Sequence, residues 1–201
     1  MHIAINADPL QKEAILQKGI PAKVDISWMQ TGMEIPAADA YFDFSETHSL
    51  FSIIKDKPVF VNEVLLTGNQ LPHNCIRVNA WSSFLERPLL EIAAAYTNSE
   101  AANILQTLEW KYQWTPDEPG FIAARMVAMI INEAYFALEQ QVSSKKEIDT
   151  AMKLGTNYPM GPFEWAEKIG LRRIYHLLKT LEKEDKRYKA AGLLEKEALQ
   201  P

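Results

Sequence analysis

The chain has 201 residues, 47% hydrophobic and 23% charged, with a formal net charge of −5 at pH 7. That composition supplies a core for one large or two small domains and excludes a disordered chain; with Lys and Arg concentrated nowhere, it also excludes a nucleic-acid footprint. A single cysteine, Cys75, rules out a disulfide framework and a Cys-rich metal site.

The opening, MHIAINADPLQKE, has no cationic leader ahead of an apolar run, and the most apolar helix is interrupted by Arg125 and Glu133. No membrane partner and a cytoplasmic location are therefore expected. His2 to Ala7 is β-rich, Leu10 to Lys18 has helical period and Val24 to Met29 is again extended, a β-α-β opening. Asp8 before Pro9 reads as an N-cap with proline at the first helical position. Ala38 to Phe44 (ADAYFDF) is the next strand. A helix from about Glu46 to Lys55 leads into Pro58 to Val61, a buried strand by its apolar continuity. Extended segments follow at Ile76 to Val78 and Pro88 to Ala93, with Cys75 read as a small buried hydrophobe at a strand start. From Ser99 a helix carries Leu105 and Leu108 toward Trp110.

From Gly120 the pattern is helix only. Phe121 to Gln140 is apolar on nearly every face and is expected to be enclosed by protein. Ser144 and Glu147 make a capping box for the next helix, which Gly155 is expected to end. The Pro159-Met160-Gly161-Pro162 turn opens a helix at Phe163 to Lys168, and Leu171 to about Lys183 is amphipathic. The mixed-charge tail after it reads as helical and partly exposed. The change of period places a boundary at Asp117-Glu118-Pro119-Gly120, giving an α/β domain at 1–118 and a helical domain at 119–201.

Two irregular stretches, PGFIAAR (Pro119 to Arg125) and EIDTAMKLGTNYPMGP (Glu147 to Pro162), resemble the PGFIxNR and EDIDxAMxxGxxxPMGP patterns of the 3-hydroxyacyl-CoA dehydrogenases. In the N-terminal half, Ala38 to Asp43 resembles the family's ADLVxEA strand, Pro58 to Leu66 its IFASNTSS strand, and Ile76 to Ala93 its GxHFFNPxxxxxLVEV stretch. The resemblance covers most of the chain. It implies a shortened Rossmann-like α/β domain followed by the helical domain of 6-phosphogluconate/3-hydroxyacyl-CoA dehydrogenase type. It also implies a homodimer through that helical domain, an acyl-CoA-like ligand, and NAD as the family's cofactor.

The residues depart from the family where its chemistry lies. A Rossmann turn needs glycines so that the backbone can approach a pyrophosphate at a helix N-terminus; here Asn6, Asp8 and Gln11 occupy those positions, and Asp8 sets a carboxylate against the phosphates. Asp25 lies near the place of the family's ribose-binding acid but inside an extended run. Carried over one at a time, Asn79 stands at the family's general-base histidine, Glu91 at the glutamate that orients it, Leu65 or Leu66 at the serine, and Ala124 at the asparagine. Thr67 restores a hydroxyl only if the register slips. An amide such as Asn79 cannot take a hydroxyl proton at an accessible pH. Glu91 is then either a base in its own right or a buried carboxylate hydrogen-bonded to backbone, the second being preferred.

His2, His48, His73 and His176 show no metal-ligand spacing, and no metal is expected. Trp81 and Phe84 lie in the stretch that faces the acyl group in the family, though packing is the preferred reading. Met126, Met129, Trp110, Tyr112 and Trp114 read as core or interface. The chemistry favours a diverged, non-catalytic member that binds no cofactor; the alternative is an active NAD-dependent 3-hydroxyacyl-CoA dehydrogenase.

Overall fold

The computed structural model describes residues 1–30, 32–47, 49–96 and 99–200; Thr31, His48, Thr97, Asn98 and Pro201 lie outside the described residues, so the reading of His48 stays a sequence reading. The chain divides into two compact units, Met1–Phe121 and Ile122–Pro201.

The first unit contains β1 (His2–Asn6), α1 (Pro9–Lys18), β2 (Asp25–Met29), β3 (Ala40–Asp43), β4 (Val59–Val61), β5 (Cys75–Val78), β6 (Leu89–Ala93), α2 (Ser99–Thr107) and β7 (Lys111–Trp114). They form one seven-stranded sheet in the order β2-β1-β3-β4-β5-β6-β7. Neighbours are parallel except β5 and β6, which run antiparallel. The strand order reverses between β1 and β3, the switch point of a Rossmann-like doubly wound sheet.

Side-chain alternation explains why these runs are strands buried on both faces. Ile3, Ile5, Phe42, Phe60, Ile76, Ile92 and their neighbours pack with Ala14 and Ile15 of α1 and Ala101, Ile104 and Leu105 of α2. Ala4, Tyr41, Val59 and Val61 point the other way, against Phe51, Ile35, Leu50 and Ile54. One face is thus covered by helices and the other by irregular segments. Phe42 stacks on Phe60 at 4.3 Å between ring centroids and meets the edge of Trp110 at 5.9 Å. Buried aromatic pairs of this kind fix how the middle strands stack.

Two expectations for this unit are corrected. Residues 45–54 form bends and turns, with no helix among those described. Their organiser is the buried Asp43 carboxylate, which accepts from Ser45 N at 3.2 Å, Ser45 Oγ at 2.6 Å and Leu50 N at 3.2 Å; a side chain that captures local donors competes with helix formation. The seventh strand, β7, was not anticipated, because only Tyr112 of its four residues is even half-buried and the run has no alternating signature.

The second unit is helical: α3 (Ala123–Glu139), α4 (Lys145–Thr156), α5 (Pro162–Ile169), α6 (Leu171–Glu182) and α7 (Gly192–Ala198), with a short 3-10 turn at Lys186–Tyr188. Ala124, Val127, Ala128, Ile131, Ala134 and Tyr135 form the buried stripe of α3, at the three-and-four spacing of an amphipathic helix. Within a single copy α3 is not enclosed on all sides, since Met126 is 58% exposed. Ser144 caps α4 through the expected box with Glu147. Gly155, however, lies inside that helix, and Asn157 ends it in the left-handed region at φ 56°, which asparagine tolerates because its short amide can bond locally.

The family-like segment has a physical reading. The buried Asp149 of α4 accepts from Phe163 N at 2.8 Å and so caps α5 from a neighbouring helix. A Cβ added at Gly161 would lie 2.2 Å from the Asp149 Oδ1. Aspartate and glycine are therefore needed together, one to cap and the other to leave it room. The tail is more enclosed than expected: Tyr188, Ala190, Ala191 and Leu194 are buried, and Asn132 of α3 clamps it by donating to Lys189 O and accepting from Ala191 N, both at 2.9 Å. Tyr135 donates to the Glu197 carboxylate at 2.7 Å, which Lys145 also meets. Among the described residues no helix is long and apolar enough to cross a membrane.

Candidate functional site

Asn79 and Glu91 are brought together by the antiparallel β5/β6 pair. The ladder sets Arg77 opposite Ala93 and Val78 opposite Ile92, and one step further Asn79 N donates to Glu91 O at 3.0 Å. Opposed residues on adjacent strands place their side chains within reach, and the Asn79 Nδ2 donates to Glu91 Oε2 at 2.8 Å. This corrects the preferred reading of Glu91 in one respect: it is half-buried rather than buried, and a side-chain amide is among its partners. Asn79 is 2% exposed, and its Oδ1 is a buried acceptor with no hydrogen-bond partner. The pair thus fixes the amide with its oxygen unused, an arrangement that accepts a donor hydrogen bond but takes up no proton.

The other carried-over positions do not join this pair. Leu65 and Leu66 donate their backbone N–H groups to Glu63 Oε1 at 2.7 and 2.9 Å and offer no hydroxyl. The Thr67 hydroxyl is directed to Gln70 Oε1 at 3.3 Å. Ala124 is a fully buried apolar residue of α3. Trp81 and Phe84 are both buried, and the Arg87 guanidinium lies 4.7 Å over the Phe84 ring.

At the β1/β3 switch point, where a dinucleotide binds in this class of sheet, the crevice is laced by hydrogen bonds. Asp8 accepts from Gln11 N at 2.8 Å while Gln11 Oε1 accepts from Asp8 N at 3.0 Å, a complete capping box that occupies these two N–H groups at the start of α1. The Gln11 Nε2 also donates to Phe44 O just beyond β3 at 2.9 Å, and Asn6 Nδ2 donates to Asp43 Oδ1 at 2.9 Å. A pyrophosphate would have to displace this capping carboxylate and face it at close range, so the residues present do not fit NAD. Asp25 is the first residue of β2, whereas a ribose-binding acid belongs at the opposite, C-terminal end of that strand.

His2 is tied down, its ring nitrogens 2.8 Å from Ala37 O and 2.9 Å from Ser27 Oγ, and among the described residues no group of three His, Cys, Asp or Glu could hold a metal. Cys75 is half-buried, and burial pushes its thiol pKa up while Lys55 pulls it down.

Sequence reasoning missed Arg77, the largest fully buried side chain of the described residues. Its guanidinium donates to Glu63 O at 3.2 Å, Asp117 Oδ1 at 2.6 Å and Glu118 O at 3.1 Å, and lies 4.6 Å over the Phe121 ring. Burial lowers its pKa, and the hydrogen bond and charge of Asp117 oppose that shift. Asp117 in turn accepts from Gly68 N at 2.9 and 2.7 Å. The signal was present: an arginine inside the apolar run Cys75 to Val78 demands a buried anion.

A Rossmann-like sheet with a degenerate first turn, followed after PGF by a helical unit, defines a dehydrogenase-like protein. Residues 120–200 match the family model described as "3-hydroxyacyl-CoA dehydrogenase, C-terminal domain", which places this part of the chain in the 3-hydroxyacyl-CoA dehydrogenase family. The chain is 42% identical over 118 residues to 3-hydroxyadipyl-CoA dehydrogenase of Escherichia coli (strain K12), covering 55% of this chain and 25% of that protein. It is 40% identical over 163 residues to 3-hydroxybutyryl-CoA dehydrogenase of Bradyrhizobium diazoefficiens, covering 74% and 56%. The crystal structure of 3-hydroxybutyryl-CoA dehydrogenase from Escherichia coli K12 superposes with a TM-score of 0.62 at 33% identity, over 72% of this chain and 32% of that one. The structure of (S)-3-hydroxybutyryl-CoA dehydrogenase from Ralstonia eutropha shares the fold with a TM-score of 0.71 at 18% identity, over 97% and 92%. The chain thus spans between a quarter and just over half the length of the two sequence relatives named.

Proposed function

We propose that this chain is a non-catalytic member of the family that keeps a site for a hydroxyacyl-CoA-like ligand within a homodimeric scaffold. The Asn79–Glu91 pair carries the reading: the amide is held by the carboxylate at 2.8 Å and leaves one buried acceptor. An amide in this place leaves a ligand hydroxyl protonated, because an amide oxygen is no base near neutral pH. The capped start of α1 adds a second, independent loss, since no hydride acceptor of the dinucleotide type fits the laced switch point.

Titration calorimetry with 3-hydroxybutyryl-CoA and NAD, beside a spectrophotometric assay for NADH, tests this. Binding of the thioester without binding of NAD and without turnover is expected. NAD-dependent turnover that is lost in Glu91→Gln would overturn the proposal and assign Glu91 as the base. For the homodimer the support is α3, whose Met126 is 58% exposed and whose Met129, Ile130 and Phe136 are only partly covered; a second copy would bury them. Light scattering at micromolar concentration is expected to give a dimer, and a monomer would remove that part of the reading.

A further inference from the structure

The sheet of the first unit ends at β2, which pairs with β1 alone. Asp25 N donates to Met1 O at 2.9 Å, so Asp25, Ser27 and Met29 turn their peptide groups toward β1, and the N–H and C=O of Ile26 and Trp28 point outward. Among the described residues no loop or side chain bonds these four groups. Sheet edges are normally blunted by charge, proline, a bulge or a covering element. The strand reads DISWM: its one charge is Asp25 at the start, and Ile26-Ser27-Trp28 carries none.

The apolar side chains beside this edge are also only partly covered. Ile26 and Trp28 pack against the core yet are half-buried. On α1, Lys12 Nζ lies 4.6 Å over the Trp28 ring, and Leu16, one turn further along the same flank, is 51% exposed.

We propose that the β2 edge binds the β2 edge of a second copy of this chain, antiparallel and two-fold about Ser27. This centre uses all four outward groups, because Ile26 exchanges both hydrogen bonds with Trp28 of the second copy and Trp28 with its Ile26. The register favours a copy over a foreign strand in two ways. It sets an aromatic ring against a β-branched side chain on both sides of the axis, a favourable cross-strand pair. It also sets Asp25 opposite Met29, which holds the two Asp25 carboxylates about 13 Å apart along the strands. Because α1 covers the face that Ile26 and Trp28 share, the two α1 flanks meet over the joined strands and cover Leu16. The contact is separate from the α3 dimer and weaker: standard interfaces use roughly 20–30 residues a side, whereas β2 offers five. It is therefore expected in the high micromolar range.

Sedimentation velocity of the whole chain from low to high micromolar concentration tests this. Ile26→Pro removes an outward N–H and puts a ring in the seam while sparing the β1 ladder, since an edge strand tolerates proline where the N–H faces away. At the top of the range an Ile26→Pro protein that is folded by circular dichroism is expected to have half the mass of the unmodified protein, whether or not the α3 contact forms. Equal masses overturn the proposal. A second pair of variants does not depend on Ile26→Pro folding. In a Cys75→Ala background, Ser27→Cys is expected to give a disulfide-linked dimer under mild oxidation, because the two-fold pair brings this Cα to about 4.5 Å from its copy, within disulfide range. Asp25→Cys, which faces Met29 across the seam, is expected to stay unlinked. Absence of the Ser27→Cys link, or equal linking through Asp25→Cys, overturns the proposal as well.

Discussion

Removing the Asp117 carboxylate should destabilise the first unit more than any surface charge change. In Asp117→Ala the guanidinium of Arg77, whose side chain is 0% exposed against 18% for Asp117, keeps the carbonyls of Glu63 and Glu118 and the face of Phe121 but loses its anion. Stripping one partner from a buried pair costs about 3–5 kcal/mol. Gly68 N loses its acceptor as well, a further cost of about 1–3 kcal/mol that water entering the gap partly offsets. The expected loss is therefore about 4–7 kcal/mol, a large part of the roughly 5–15 kcal/mol that holds a domain together. Arg77→Met should cost less, because the partly exposed Asp117 keeps Gly68 N and can rehydrate. The double variant should show a coupling above about 1.5 kcal/mol. Urea unfolding followed by tryptophan fluorescence is the assay, since Trp28, Trp81, Trp110 and Trp114 belong to the first unit and only Trp165 to the second. A loss below about 1 kcal/mol, the size of an exposed pair, would refute the reasoning.

Gly161→Ala should displace the Asp149 carboxylate and uncap α5 at a cost of about 1–2 kcal/mol; an unchanged urea midpoint would show that Asp149 moves aside without losing its bond. Asn132→Ala strips partners from Lys189 O and Ala191 N and should lower stability by about 2–4 kcal/mol, with hydrogen exchange accelerating first across residues 186–198. The Glu147 carboxyl, which accepts hydrogen bonds from Ser143 and Ser144, is held down to about 2. Because the folded value is depressed, its contribution is fully present above the ordinary glutamate range and is lost as pH falls from there toward 2; a carboxyl carbon chemical shift that titrates at the ordinary value would contradict the capping geometry.

Much of this architecture could be read from residue patterns. Asp8-Pro9 and Ser144 with Glu147 announced helix starts because an N-cap needs a side-chain acceptor at a fixed offset, and both caps are formed. The strands at Ala38 to Phe44 and Pro58 to Val61 were legible because burial on both faces leaves continuous apolar runs. What failed was local competition: Asp43 turned an expected helix at 46–55 into a loop, and Asn157 rather than Gly155 ended α4. At the candidate site, Asn79 and Glu91 were picked out through resemblance; their facing positions follow from the β5/β6 register, which no local pattern reveals. Arg77 was passed over because the partners that give it meaning are distant in sequence.

The covering of the second sheet face has a consequence for how such a protein can shrink. After β2 the chain reaches β3 across residues 30–39, with no helix among those described, although β1 lies between the two strands. Parallel neighbours usually need a crossover of a dozen or more residues, most often helical, yet an extended run of this length spans at most about 36 Å and suffices. A doubly wound sheet is laid down outward from its central seam, so pruning at the margin leaves the inner register untouched: β1, β3, β4 and β5 still pair in parallel. The pairing of the inner strands therefore does not depend on whether the marginal crossover is a helix or an extended run.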